Sequence, residues 1–427
     1  MINRFLHKTK IGKVKFSGYA LIYALFILVL VSLFSTVYLN LFYTNKKRQS
    51  MIFMRQDLRR DTKEALLEII KTDFQKEGTY QSTTSPHSKF NYTLQPWGVF
   101  NRIEVTGKRD VFTEQYSALL GHDIHTEEMP SLYLDHSEVL KVGGFTKITK
   151  KAIVSHNGIE RSYINTQSKG NPTLINGELV KRKKRAKPVL PTFNIFKFES
   201  TLASEIEKSK IQEYDPAKDY INPFTNELLI LEISQGQEIS SQVKGHIKLI
   251  SNDSLVVNAQ SDLKHVQLVA PKVRIKSQVM GNAQIFSDQS IFIENDVHLE
   301  YPSVLFLKTD STSSQIIIEE NTTIEGVVIG NKPVFERTLS SQIEFRKGSK
   351  IIGQVLTKNM NTQFSGSVYG SSFVNTLFLN TKSSIYTNHL LNATLDITKL
   401  PEKRLGIEVE EFTGQVGIIQ WINHNSL

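Results

Sequence analysis

The run GYALIYALFILVLV at residues 18–31 lies inside a longer stretch, 16–45, that contains no charged side chain. As a helix rising about 1.5 Å per residue, its apolar part from Tyr19 to Phe42 would be about 36 Å long, and a hydrocarbon core is about 30 Å thick. This length predicts a transmembrane helix over residues 19–43, behind a basic leader at 1–18. The lipid bilayer is therefore the first partner that the sequence indicates.

A cleaved secretory signal is the alternative, because Arg4 and the lysines up to Lys15 form a basic segment ahead of the apolar one. Signal sequences have an apolar core of about 7–15 residues that ends at a small-x-small site. Here the apolar run continues through Phe42 and Tyr43 into the basic residues 46–48. This favours a retained anchor.

Charge is concentrated near the apolar stretch. Of the 51 Lys and Arg and 42 Asp and Glu, residues 1–60 hold eleven basic side chains and one acid, Asp57, so the remainder is close to neutral. A nearly neutral body has no general field for phosphate backbones, and we expect no nucleic-acid partner. Basic residues flank the span on both sides, so the positive-inside rule does not set its orientation.

The composition of the chain beyond the span sets the expected orientation and excludes some chemistry. These residues are rich in Thr, Ser and Asn and have the pattern of β-strands, unlike a nucleotide-handling domain. We therefore expect a single-pass protein of the inner (cytoplasmic) membrane, with the N-terminus cytoplasmic and the C-terminal bulk periplasmic or extracytoplasmic.

The absence of cysteine excludes disulfides, thiolate zinc sites and a cysteine nucleophile.

The segment after the span has the period of an amphipathic helix, predicted over residues 44–78. Charged residues occupy the opposite face, and the Ser/Thr/Pro cluster at 81–86 follows the predicted end. The apolar face repeats at steps of three and four residues and contains Leu58, Thr62, Ala65, Leu66, Ile69, Ile70 and Phe74.

A basic leader ending in Gly18, an aromatic Tyr19, a long apolar run and an amphipathic extension together resemble the N-terminus of type IV pilins and of the pseudopilins of type II secretion. In that family a peptidase cuts after the glycine and the new N-terminal helix packs into a filament core. The resemblance implies a processing site between Gly18 and Tyr19, and other pilin-like subunits as partners.

One position departs from the family pattern. The glutamate at the fifth mature position would fall on Tyr23, which carries no acid. Certain minor, tip-forming members also lack that glutamate, and the start Gly18-Tyr19-Ala20-Leu21-Ile22 is similar to theirs. An ordinary signal anchor explains the same residues and remains the alternative.

The chain beyond Pro96 has the pattern of short strands. A β-rich region is predicted over 96–190, where apolar and polar residues alternate as at 102–106 and 111–116. A basic run at 181–187 is typical of a solvated stretch. Residues 193–223, with Leu202, Ile206 and Ile211 at helical spacing, are predicted as a helical or proline-containing linker or cap.

An apolar-x-Gly-x-apolar motif recurs in the C-terminal half, centred on Gly245, Gly281, Gly326, Gly353 and Gly366. Short strands that cannot bury their inward side chains alone can share a core when stacked. We predict a mainly β fold with an irregular single-stranded β-helix over 236–400 and a C-terminal tail or cap at 401–427. A β-sandwich is the alternative. The repeat is similar to that of bacterial β-helical scaffold proteins of the bactofilin kind.

Candidate catalytic chemistry is sparse. His122 and His125 could ligate a metal if their segment were helical, but Gly121 and Pro130 indicate a loop. The acids of the repeats, such as Asp253, are scattered, and no phosphate-binding loop or nucleophile elbow occurs. We therefore expect no catalytic residue, cofactor, metal or small-molecule substrate, and no enzyme activity.

Two functional hypotheses follow. The first is a non-enzymatic, membrane-anchored structural or assembly protein: a pseudopilin-like (minor pilin) component of a type IV pilus or type II secretion-like system, with a rigid extracytoplasmic β-helical domain. The alternative is a cell-surface β-helix that binds or cleaves glycans. That alternative requires acids such as Asp253, Asp288, Asp296 and Glu325 to converge in one groove.

Overall fold

The computed structural model describes residues 18–72, 76–82, 85–86, 88–124, 127–164, 173–183, 211–334, 336, 340–381, 383–412 and 414–422. Several predictions fall outside this part of the chain: the leader up to residue 17, Phe74, His125, the basic run from 184 to 187, and the predicted helix with Leu202 and Ile206.

The first element is a single uninterrupted helix, α1 (Gly18–Ile69), of 52 residues. Its apolar half is exposed, whereas Leu58, Thr62, Ala65, Leu66 and Ile69 are buried, as their spacing predicts. The helix ends at Ile69 and not at residue 78, because residues 77–80 pair with a later strand.

An antiparallel sheet packs against the C-terminal half of α1 and buries it. Its first strands are β1 (Glu77–Tyr80), β2 (Lys89–Trp97), β3 (Phe100–Arg109) and β4 (Phe112–Asp123). Each pairs antiparallel with the next. Ile103, Val105, Ala118 and Leu120 pack with the helix residues Ala65, Leu66 and Ile69 in one apolar cluster.

Five strands follow in the region from 131 to 183: β5 (Leu132–Leu134), β6 (Leu140–Gly143), β7 (Lys147–Val154), β8 (Ile159–Arg161) and β9 (Asn176–Lys181). They pair in parallel, β5 with β7, β6 with β8 and β7 with β9. Parallel pairing of every second short strand is the geometry of a coil.

The region from 211 to 395 forms the main coil. Its strands are β10 (Ile211–Glu213), β11 (Tyr220–Asn222), β12 (Leu229–Glu232), β13 (Glu238–Ile239), β14 (Gln242–Gly245), β15 (Ile247–Ile250), β16 (Ser254–Val257), β17 (Asp262–Val269), β18 (Lys272–Ile275), β19 (Met280–Ser287), β20 (Ser290–Ile293), β21 (His298–Lys308), β22 (Gln315–Ile318), β23 (Thr323–Asn331), β24 (Ile343–Phe345), β25 (Lys350–Lys358), β26 (Asn361–Phe364), β27 (Ser367–Val374), β28 (Thr376–Asn380), β29 (Ile385–Thr387), β30 (His389–Leu391) and β31 (Thr394–Leu395).

These strands stack into two long faces. One runs β10-β12-β15-β17-β19-β21-β23-β25-β27, and the other runs β13-β16-β18-β20-β22-β24-β26-β28. Pairing within both faces is parallel, so like side chains stack in ladders; the buried ladder of the second face is Leu255, Val273, Ile291, Ile316 and Ile343. The predicted fold class, mainly β with a β-helix-like coil and a long N-terminal helix, is confirmed. Ile211, predicted in a helix, lies instead in β10, because the edge of β12 pairs with it.

Strands β5 to β9 complete this coil, although they precede its other strands in the sequence. β27 pairs with both β31 and β5, and β31 pairs with β7. β9 lies beyond β7, and β30 pairs with β6. The two β regions that the sequence separates therefore share one sheet, and residues 131–183 form the end of the coil that begins at Ile211.

Glycine stacks on glycine along one column of the coil. Gly326, Gly353 and Gly370 occupy successive strands in register, with φ between 146° and 154°. A Cβ on Gly353 would lie 1.9 Å from the carbonyl oxygen of Gly326. Gly366, the predicted fifth copy, is not in this column but in the turn before β27, because the apolar residues on either side of it belong to two different strands.

The C-terminus returns to the antiparallel sheet. A 3₁₀ turn at Ile397–Lys399 precedes β32 (Leu405–Gly406), and a second one at Glu410–Phe412 precedes β33 (Val416–Trp421). Both strands pair antiparallel with β4. The described part of 401–427, expected as a tail or cap, is thus part of this sheet. The molecule has three layers: the C-terminal half of α1, the sheet, and the coil.

Candidate functional surface: the exposed apolar helix

The N-terminal half of α1 carries a large exposed apolar surface. Every side chain from Tyr19 to Phe53 is exposed, including Phe34 at 63% and Phe53 at 64%. Soluble monomers rarely expose contiguous apolar patches beyond a few hundred Å², so this surface requires lipid or other protein to cover it. By length and composition, α1 is the one helix of the described chain that could cross a membrane.

The predicted processing site lies at the first turn of this helix. α1 begins at Gly18, and Tyr19 is 72% exposed. Tyr23, at the position of the family's glutamate, is also exposed. The hydroxyl groups of Thr36 and Thr44 donate hydrogen bonds to the carbonyls of Ser32 and Asn40 one turn earlier, so these polar groups are satisfied within the helix.

Three consecutive cations follow the apolar stretch. Lys46, Lys47 and Arg48 are exposed, and in the described part of the chain none of them has an acidic partner. We refer to these three residues as the basic collar. Its position suits either a lipid headgroup layer or the acidic surface of a neighbouring protein.

A carboxylate fixes the helix where it leaves the exposed region. Glu114 of β4 accepts hydrogen bonds from Arg55 Nε at 2.5 Å and from Arg59 Nε at 3.1 Å. Burial raises the pKa of Glu114, but the hydrogen bonds and charges of the two arginines outweigh it, so the pKa lies below its ordinary value. The sequence did not single out Glu114, since its partners are more than fifty residues away.

Further polar contacts hold the helix on the sheet. The hydroxyl of Tyr80 donates to Glu68, and this hydrogen bond raises the pKa of Tyr80 above its ordinary value. The hydroxyl of Ser85 donates to the buried carboxylate of Asp61 at 2.5 Å. These contacts hold the C-terminal half of α1 on the sheet, and the exposed half continues from it in one uninterrupted helix.

Two glutamines join the sheet layer to the coil. Gln284 accepts from the backbone N–H of Val99 at 3.0 Å and donates to the carbonyl of Trp97 at 3.1 Å. Gln354 makes the same pair of bonds with the backbone of Ile407. A polar residue inside an otherwise buried strand was the available signal for both, and sequence reasoning missed it.

One residue of the predicted basic run, Arg182, makes specific contacts with the folded chain. Arg182 donates to Asp135 at 2.7 Å and to the carbonyl of His136, and its guanidinium lies over the ring of Tyr133. Its side chain is only 14% exposed, so this residue holds the end of the coil and is not freely solvated.

His122, the described member of the histidine pair, belongs to no cluster of three potential metal ligands among the described residues. His122 lies in β4, with its Nε2 atom 3.9 Å from a carboxylate oxygen of Glu408. No group of three potential ligands occurs among the described residues. The strand conformation of His122 removes the helical spacing that a metal site would have needed.

The acids that a glycan-cleaving site would use have separate surroundings. Asp253 accepts from Gln235, and Asp296 lies in a turn with φ of 58°. Glu325 is bound by His298 and Arg404 on the other face. Asp288 lines an open cleft of about 840 Å³ whose described lining, with Lys272, Lys308 and Asp310, contains no aromatic ring.

No family model matches the chain, and no curated protein matches it. Among solved structures, the chain is similar to the crystal structure of the competence-associated pilin ComZ from Thermus thermophilus. The TM-score is 0.23 and the sequence identity is 9%, over 87% of this chain and 95% of that one. A TM-score this low carries no argument about the fold or the function.

Proposed function

We propose that this chain is a non-enzymatic, membrane-anchored structural subunit of a pilin-like assembly. The observation that carries the proposal is the division of α1. One continuous helix is exposed from Tyr19 to Phe53 and apolar from Tyr19 to Phe42, and from Leu58 onward one of its faces is buried against an antiparallel sheet. This is the form that a subunit needs if its helix is stored in lipid and then packed against other helices.

Each part of the helix has a role in this proposal. Lipid covers the charge-free stretch before assembly, and neighbouring helices cover it afterwards. Arg48 and Leu58 are ten residues apart, about 15 Å along a helix, so the folded body stands close to the membrane surface. The contacts of Glu114 and Glu68 keep the helix at a fixed angle to that body.

The finer assignment follows the family resemblance. We infer that Gly18 and Tyr19 flank the cut of a prepilin-type peptidase, and that the subunit is of the minor type, since Tyr23 replaces the usual glutamate. The N-terminus then faces the cytoplasm and the coil lies outside the inner membrane, as a rigid projecting domain of a type IV pilus or type II secretion-like system.

Membrane fractionation combined with N-terminal sequencing tests the proposal. The full-length chain is expressed in cells with and without a prepilin peptidase, and membranes are washed with carbonate. We expect retention in the membrane in both strains and a new N-terminus at Tyr19 in the peptidase-containing strain alone. Gly18→Asp should block processing, and the matched control Gly12→Asp in the leader should not.

Two results would contradict it at different levels. A protein that stays in the membrane with Met1 intact in the presence of the peptidase is an ordinary signal-anchored protein. A protein that carbonate releases, with no trimming, is not anchored by this helix at all.

A further inference from the structure

An acidic groove lies at the foot of the folded body, where α1 passes the segment between β1 and β2. It is a cleft of about 470 Å³. Three carboxylates on α1 recur at steps of four and three residues, which places them on one face of the helix. The lining includes Asp57, Arg60, Asp61, Glu64, Ser88 and Arg109.

One buried polar group in this acidic groove has no hydrogen-bond partner among the described residues. Ser88 is 2% exposed, and its Oγ atom makes no hydrogen bond to them. A buried hydroxyl without a partner is costly, whereas an incoming donor would satisfy it. The unpartnered hydroxyl is thus an observation independent of the acidic cluster, and it points to a polar occupant, from which it can accept a hydrogen bond.

The charge of the acidic groove favours a cationic occupant. Three carboxylates face two guanidinium groups, those of Arg60 and Arg109. Arg60 lies 3.4 Å from Asp57 and 3.7 Å from Asp61, but its side chain is 66% exposed and can move away. Asp57 is 51% exposed, so its carboxylate is accessible to a second molecule.

We propose that the acidic groove of one subunit binds the basic collar of a second copy of this chain. The proposal rests on the proposed function, in which helices from several subunits pack in parallel. Lysine and arginine side chains supply the donors that Asp57, Glu64 and Ser88 can accept. The collar has no acidic partner among the described residues of its own chain.

The collar cannot reach its own groove. Arg48 is nine residues from Asp57, and Lys46 is eighteen residues from Glu64. On one straight helix these separations are about 14 and 27 Å. A parallel neighbour displaced along the axis by a distance in this range, about 20 Å, brings collar and groove to the same level.

The same displacement preserves apolar contact between the helices. The apolar part of α1 is about 36 Å long, so a shift of about 20 Å leaves about 16 Å of the two apolar surfaces side by side. The contact is heterologous, because a different surface is used on each copy. Heterologous contacts form rings where the rotation closes, and the displacement along the axis prevents closure here, so the contact would extend into an open, helical assembly.

Cysteine cross-linking tests the register directly, since the natural chain has no cysteine. Two full-length copies with different tags are co-expressed and their membranes are oxidised. At a displacement of about 20 Å, Lys47 lies level with the groove residue Arg60 of the neighbour, thirteen residues further along the helix, and we expect a disulfide between Lys47→Cys on one copy and Arg60→Cys on the other. The control replaces Arg60→Cys with Arg59→Cys, which is at nearly the same height but on another side of the helix and should cross-link at most one tenth as well.

Charge exchange provides the second test. The collar variant Lys46→Glu, Lys47→Glu, Arg48→Glu should lower co-purification of the two tagged copies at least tenfold. A partner copy with Asp57→Lys and Glu64→Lys should restore it, which a misfolded variant could not do. Asp61 is left unchanged because it holds Ser85. Loss of co-purification without rescue would overturn the proposal.

Failure here is distinguishable from failure of the proposed function. Leu33→Cys on both copies reports contact between apolar helices that are not displaced along the axis, a register in which collar and groove do not meet. If Leu33 cross-links and the collar–groove pair does not, the inference is wrong and the assembly stands. If neither pair cross-links although the chain is processed and stays in the membrane, a second copy is not the occupant. If carbonate releases the chain, both proposals fail.

Discussion

The hydroxyl of Thr149 donates a hydrogen bond to the carboxylate of Asp396, although 247 residues separate them in the chain. Asp396 is 1% exposed and also accepts from the backbone and the hydroxyl of Thr398, while Lys147 Nζ lies 3.6 Å away. The end of the main coil therefore shares one buried carboxylate with a strand made far earlier. Residues 131–183 cannot complete their packing until the chain has wound back to them.

Removal of this carboxylate should be strongly destabilising. We expect Asp396→Ala to lower the free energy of unfolding by about 2–4 kcal/mol, because it leaves buried donors unpaired, and Thr149→Val by about 1–2 kcal/mol. Urea unfolding of the purified protein measures both. The control is Asp253→Asn on the surface, expected within about 0.5 kcal/mol of the wild type. Equal effects of Asp396→Ala and Asp253→Asn would refute the interpretation.

This junction also shows what the sequence could not supply. Periodicity predicted α1 and the coil, because spacing along the chain records which side chains face inward. It did not record which strand stacks on which. The apolar side chains of Leu132–Leu134 would suit any position in the stack of strands. The place of this strand beside β27 is decided by packing between distant segments.

The candidate site was likewise only partly predictable from the sequence. The apolar surface of α1 and the Gly18–Tyr19 position could be read directly, because absence of charge is a local property. The acidic groove could not, since it forms only when the segment with Ser85 and Ser88 folds back beside Asp61. Glu114 was missed for the same reason.

The stacked glycines give a second prediction. Gly353→Ala places a Cβ 1.9 Å from the carbonyl oxygen of Gly326, so backbone must move. We expect a loss of several kcal/mol or failure to fold, measured as a fall in the thermal midpoint. Gly236 also has positive φ, at 80°, but nothing lies within 4 Å of its added Cβ. Gly236→Ala should therefore cost only about 1 kcal/mol, from backbone strain alone. Similar losses for the two variants would show that the close approach of the Gly353 and Gly326 backbones does not determine the loss of stability.

Two half-buried histidines predict acid sensitivity. Burial lowers the pKa of His246 and of His265 to about 4. His246 lies against the rings of Trp97 and Phe224, and His265 contacts Gln420 of the C-terminal strand. In the unfolded chain both titrate near 6.5, so below that pH the unfolded state binds protons that the folded state does not. Stability should fall as the pH drops from about 6.5 towards 4, and each histidine should contribute about 1–2 kcal/mol of the loss at pH 5.

His265→Asn isolates one of these contributions. Asn tolerates the positive φ of 60° at this position and does not titrate. We expect the variant to lose less stability between pH 7 and pH 5 than the wild type, by about 1–2 kcal/mol in urea unfolding. His156→Asn, in the turn from Ser155 to Gly158, is the control. An unchanged pH dependence in His265→Asn would mean that burial of this ring does not govern the loss.

The last prediction concerns the angle between helix and body. Glu114→Gln keeps the shape of the side chain but removes the charge that holds Arg55 and Arg59. Both arginines are about half exposed, so solvent screening limits the loss of stability to about 1 kcal/mol. Local opening should nevertheless rise: amide hydrogen exchange around residues 54–62 should become several-fold faster, while the coil is unaffected. Raised salt should accelerate exchange in the wild type and not in the variant. The matched control is Glu160→Gln, at an exposed position in β8. If exchange in Glu114→Gln is as slow as in that control, the apolar contacts of Leu58 and Leu66 alone set the angle.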